Sequence, residues 1–78
     1  MFPTNPSSGP LFWTVLEIQA DGESKSCIPL IFDSYDSAVA QFFQAGAAAA
    51  RSSIGYHAIF ILQSDGRLTD WRIFDRRV

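Results

Sequence analysis

Apolar and polar positions fall into four short runs of strand character, with one longer run of helical period between the second and third. Residues 11–20 (LFWTVLEIQA) are rich in aromatic and β-branched side chains and predict a strand. Asp21-Gly22 follows, a pair that tolerates the positive φ of a type I′ turn, so residues 25–33 (KSCIPLIFD) predict the return strand of a hairpin. Pro29 has no amide to donate and is expected at an open edge or a bulge. Asp33-Ser34 offers a helix cap, and the good helix formers after it predict a helix from Tyr35 to about Ser52. Tyr35, Val39, Phe42, Phe43, Gly46 and Ala50 lie at helical spacing and are expected on its apolar side. Residues 56–63 (YHAIFILQ) predict a strand apolar on both faces, Asp65-Gly66 repeats the turn signal, and residues 68–75 (LTDWRIFD) predict the last strand.

The order ββαββ predicts an α+β domain over residues 11–78, a four-stranded antiparallel sheet with one helix packed on one face. Residues 1–10 hold Pro3, Pro6 and Pro10 with Ser, Asn and Gly, which predicts a flexible arm. A two-residue turn at Asp65-Gly66 sets Phe60 opposite Trp71 and Ile59 opposite Arg72. One face then carries Tyr56, Ala58, Phe60, Leu62, Trp71 and Ile73, and the other His57, Ile59, Ile61, Leu68, Asp70, Arg72 and Phe74. The first is the more uniformly apolar and is expected beneath the helix, with Ala58 leaving room for the helix backbone. In the first hairpin, Phe12, Leu16, Ile18, Cys27 and Ile31 share a face, as do Trp13, Val15, Glu17, Ile28 and Leu30. One helix covers one face only, so Trp13, Val15, Ile28, Leu30, Ile59, Ile61 and Phe74 are expected as a second apolar surface. A surface of that kind on so short a domain predicts a homo-oligomer.

Composition narrows the chemistry. The 78 residues carry a formal charge of -2 with pI ≈ 5.0, which argues against a general nucleic-acid binder. No apolar run reaches the ~20 residues of a membrane helix. The N-terminus lacks a basic segment followed by an apolar core, so no secretory signal is read and a cytoplasmic location is expected. One cysteine, Cys27, excludes an internal disulfide and is expected as a buried, inert thiol. His57 is the only histidine, and a Ser-His-Asp set can be written with Asp70 or Asp75, but no nucleophile elbow accompanies it. No catalytic residue, metal ligand or cofactor motif is therefore assigned. Positive charge gathers late, at Arg51, Arg67, Arg72, Arg76 and Arg77. Arginine suits phosphate and carboxylate and stacks on aromatic rings, so Arg51, Tyr56, His57, Arg72 and Arg76 are candidates for an anion or nucleotide pocket.

The segments SYDSAVAQFFQAGAAAA, YHAIFIL and SDGRLTDWRIF, within residues 12–72, resemble small ββαββ proteins of unknown function from phages and prophages of Firmicutes. The resemblance implies a mobile-element origin and a small accessory protein, and it transfers no active residue. Together these features lead to the expectation of a non-enzymatic, homo-oligomeric interaction protein that blocks or sequesters a host component, either a protein or a small anionic ligand such as a nucleotide signal. The alternative is a virion structural or assembly protein with no host ligand.

Overall fold

The computed structural model describes residues 10–77, so the arm expected over residues 1–10 lies, apart from Pro10, outside the described residues. The elements are β1 (Trp13–Asp21), β2 (Ser24–Phe32), α1 (Tyr35–Arg51), β3 (Tyr56–Gln63) and β4 (Leu68–Asp75). They form a four-stranded antiparallel sheet in the order β2-β1-β3-β4 with the helix packed on it, the α+β architecture expected from the pattern. The two hairpins join through β1 and β3, which pair from Trp13↔Gln63 to Ala20↔Tyr56. Hydrogen bonds extend that seam, from Ser64 N to Phe12 O at 2.8 Å and from Trp13 Nε1 to Gln63 Oε1 at 3.0 Å. β2 is an edge strand, which accommodates the missing amide of Pro29.

Both turns differ from the expected type I′ form. In the first, Asp21 pairs with Ser24, and only Gly22 of the loop has positive φ, at 64°, the pattern of a type II′ turn. In the second, Gln63 O accepts from Gly66 N at 2.8 Å and Gln63 N donates to Arg67 O at 2.7 Å, closing a three-residue loop with Gly66 at φ 94°. A bulge between Ile61 and Leu62 compensates for the longer loop, so Phe60↔Trp71 and Ile59↔Arg72 pair as expected. The same bulge pairs Leu68 with Leu62, turning it to the face opposite the one expected.

The helix lies on the other face of the sheet from the one the sequence suggested. Val15, Ile59 and Ile61 are buried against Ala38, Phe42, Ala45 and Ala49, with Trp13, Phe32, Val39 and Phe74 packed around them. The buried helix residues are spaced four, three and four apart and form one narrow stripe. Large branched side chains stand on the sheet and, apart from Phe42, small ones on the helix, which lets the helix approach closely. Ala58 is not the gap that admits the helix. It is buried on the opposite face, flanked in register by Ile18 and Ile73.

This arrangement corrects the expected interface surface. Val15, Ile59 and Ile61 belong to the core, and Trp13 and Phe74 are half-buried at its margin. Ile28 and Leu30 share the helix side of β2 and stay 45% and 42% exposed, because the helix lies mainly over β1 and β3. Cys27 is exposed, since it projects from an edge strand on the face the helix leaves open. Within the helix, Phe43 is 66% exposed and turned away from the core.

The helix begins where Ser34 Oγ accepts from Ser37 N at 3.3 Å, with Asp36 in the first turn and Arg51 in the last, each favourable to the helix dipole. Because Ile59 is fully buried under the helix and Phe43 is not, Ile59→Ala is expected to destabilise by about 2–5 kcal/mol and Phe43→Ala by less than about 1 kcal/mol in urea unfolding. The reverse ranking contradicts the helix placement.

Candidate functional site

Two surfaces remain once the core is accounted for. The first is the sheet face away from the helix. β-Strand alternation places Leu16, Ile18, Phe60 and Leu62 there on the two central strands. Ile31 extends it on β2, and Leu68, Trp71 and Ile73 extend it on β4. Ile31, Trp71 and Ile73 are 69%, 56% and 52% exposed. Among the described residues no element packs on this face. Scattered exposed apolar residues are ordinary, but Leu16, Phe60 and Trp71 are adjacent in register with Pro29 at the β2 edge, and Ile31 is set off from Leu62 by Thr14.

The second surface is a groove of about 240 Å³ on the helix side. Phe42, Phe43, Gly46, Ala47 and Ala50 form its helix wall, and Arg72 and Phe74 of β4 form the other. The groove exists because one helix cannot span four strands. Its buried stripe faces β1 and β3, leaving its next flank to overhang β4. Of the residues expected on the apolar side of the helix, Phe42 is in the core and Val39 packs against it, whereas Phe43, Gly46 and Ala50 lie on this flank. Adjacent residues on a helix diverge by about 100°, so Phe42 and Phe43 cannot both enter one core. That divergence was a legible sign of a second apolar stripe.

The candidate ligand residues separate into four places. Arg72 and Arg76 come together, each stacked on Phe74 with its guanidinium carbon 5.4 and 5.6 Å from the ring centre. Arg76 Nη2 also donates to Ala50 O at 3.1 Å, tying the strand end to the helix. Tyr56 lies on the opposite sheet face, beneath Arg77 at 4.6 Å. Arg51 is exposed at the helix C-terminus. His57 is 4% exposed on the helix side, and its Nε2 has no hydrogen-bond partner.

The acids that might serve His57 are engaged elsewhere. Asp70 Oδ2 accepts from the Tyr35 hydroxyl at 2.7 Å, and this carboxylate raises the phenol above its ordinary pKa. Asp75 accepts from Arg77 Nε at 2.9 Å and from Nη2 at 3.0 Å, a two-point pair. Among the described residues no group of three or more His, Cys, Asp or Glu could hold a metal ion, and no helix is long and apolar enough to cross a membrane. No family model, curated protein or solved structure matches the chain.

Hydrogen bonds from the Arg77 side chain, with another from its backbone amide, lower the Asp75 pKa to about 2. A depressed carboxylate stabilises the fold above its unfolded value, 3.8, and that contribution is lost as pH falls through about 2. An NMR titration of the side-chain carboxyl carbons is expected to place Asp75 near 2 and to move it back toward 3.8 in Arg77→Ala. A wild-type value already near 3.8 contradicts the two-point pair.

Proposed function

We propose that this chain is a non-enzymatic interaction protein that works as a homo-oligomer, with the uncovered sheet face as the contact between copies. The observation that carries this reading is the apolar centre of that face, where Pro29, Leu16, Phe60 and Trp71 form one row across the four strands and Cys27, Ile18, Ala58 and Ile73 the next. Four strands spaced ~4.8 Å apart, at ~3.3 Å per residue, give a footprint of about 500 Å² per copy. Two such faces remove on the order of 1,000 Å² from water, the lower threshold for a biological interface. A broad sheet face with an apolar centre is matched in shape by a second sheet, as in sheet-on-sheet packing. The engagement of Asp70 by Tyr35 and of Asp75 by Arg77, with His57 Nε2 left unpartnered, supports a binding role over a catalytic one.

Within this reading the protein is a phage-type accessory protein of the host cytoplasm that blocks or sequesters a host component, such as a protein or nucleotide signal of a defence system. The resemblance of its helix and second hairpin to small phage and prophage proteins supports that assignment. The stacked Arg72 and Arg76 support an anionic cargo.

Sedimentation velocity and native mass spectrometry test the oligomer. The wild type is expected as a dimer or higher species at micromolar concentration. Trp71→Asp places a charge on the exposed face and is expected to weaken association at least about a hundredfold while circular dichroism shows a folded chain. Phe43→Asp, on the helix side, is expected to leave association unchanged. A wild-type monomer at about 100 µM contradicts the proposal, as does dissociation by Phe43→Asp alone.

A further inference from the structure

We infer that the groove between α1 and β4 is a binding site for a small planar molecule bearing one carboxylate or phosphate. This inference rests on the reading of Arg72 and Arg76 as the site of an anionic cargo and does not depend on association through the opposite face. The groove, of about 240 Å³, has room for one or two fused rings. Its walls are apolar apart from one side chain, Arg72. Phe42 and Phe43 meet edge to face at 5.8 Å, so Phe43 presents an exposed ring to whatever enters. Gly46 leaves open space on the helix wall, since a Cβ added there meets nothing within 4 Å. An aromatic body stacks against such walls with little loss of conformational freedom.

The charge at the rim selects an anion. The Arg72 and Arg76 guanidiniums both lie over the Phe74 ring. Among the described residues neither forms an ion pair, and the only such pair joins Arg77 to Asp75. Asp70, two residues from Arg72 on the same face of β4, is engaged by the Tyr35 hydroxyl. Asp75 points to the opposite face with Tyr56. The N–H edges of Arg72 are thus free to form a two-point contact with a carboxylate or phosphate whose ring lies in the groove. Arg76, held by Ala50 O, adds positive potential at the helix end.

The test is an amide-shift NMR titration of the ¹⁵N-labelled full chain with 2-naphthoate, 2-naphthyl phosphate and the neutral 2-naphthalenemethanol. Both anions are expected to saturate and to shift the amides of Phe43, Gly46, Ala47, Arg72 and Phe74, with the neutral analogue about tenfold weaker. Tighter binding of the phosphate assigns the natural anion as a phosphoester, and tighter binding of naphthoate assigns a carboxylate. Arg72→Gln is expected to reduce both anions to the affinity of the neutral analogue. Gly46→Leu fills the groove with a better helix former and is expected to abolish binding while the fold persists. Equal affinity for anion and neutral analogue overturns the inference, as do shifts confined to Trp71 and Ile73 or binding unchanged in both variants.

Discussion

Contact between the helix alanines, Ala38, Ala45 and Ala49, and the branched residues Val15, Ile59 and Ile61 fixes α1 close to the two central strands. One helix is about 10 Å across and strands are ~4.8 Å apart, so a single helix covers about two strands of the four. The surface features of the helix side follow from that mismatch in width. The outer strands are left wet on the helix side, where Ile28, Leu30 and Arg72 remain exposed. The flank of the helix overhangs β4 and creates the groove. The opposite face has no cover among the described elements.

The helix side mixes polar and apolar positions around its centre, with Ile28 and Leu30 apolar on β2 and Phe74 on β4. Glu17, Gln19, Gln63, Asp70 and Arg72 surround Val15, Ile59 and Ile61 in the register of that face. The opposite face has apolar residues out to its edges, at Ile31 on β2 and Ile73 on β4. That width suits a partner as broad as the sheet itself, which is the physical basis for proposing a second copy there.

Much of this was legible in the residues. The five elements, the Ser34 cap and the pairing of Phe60 with Trp71 follow from period, turn residues and capping chemistry. The choice of covered face did not follow. Alternation separates Ile59 from Phe60 but does not say which side meets the helix, and the more uniformly apolar face was the wrong guide. That choice rests on volume fit between Ala45 or Ala49 and Ile59 or Ile61, residues brought together only by folding. The second turn shows a related limit. A three-residue loop and a bulge offset each other, so the distant register is preserved while Leu68 changes face. Of the candidate ligand residues, Arg72 and Arg76 meet on Phe74, whereas Tyr56 lies across the sheet and His57 lies beneath its surface. A stretch of alternating strand residues sends neighbours to opposite faces, and linear proximity conceals that separation.

The central claim is that the helix closes the Ile59 and Ile61 face and that a second copy closes the other. An isotope-filtered NOESY spectrum of mixed labelled and unlabelled chains tests both parts in one sample. The account predicts intramolecular contacts from the Ala45 and Ala49 methyls to Ile59 and Ile61, and intermolecular contacts at Leu16, Leu62 and Ile73. Helix contacts to Leu62 and Ile73 within one chain, or intermolecular contacts confined to the helix side, would contradict it.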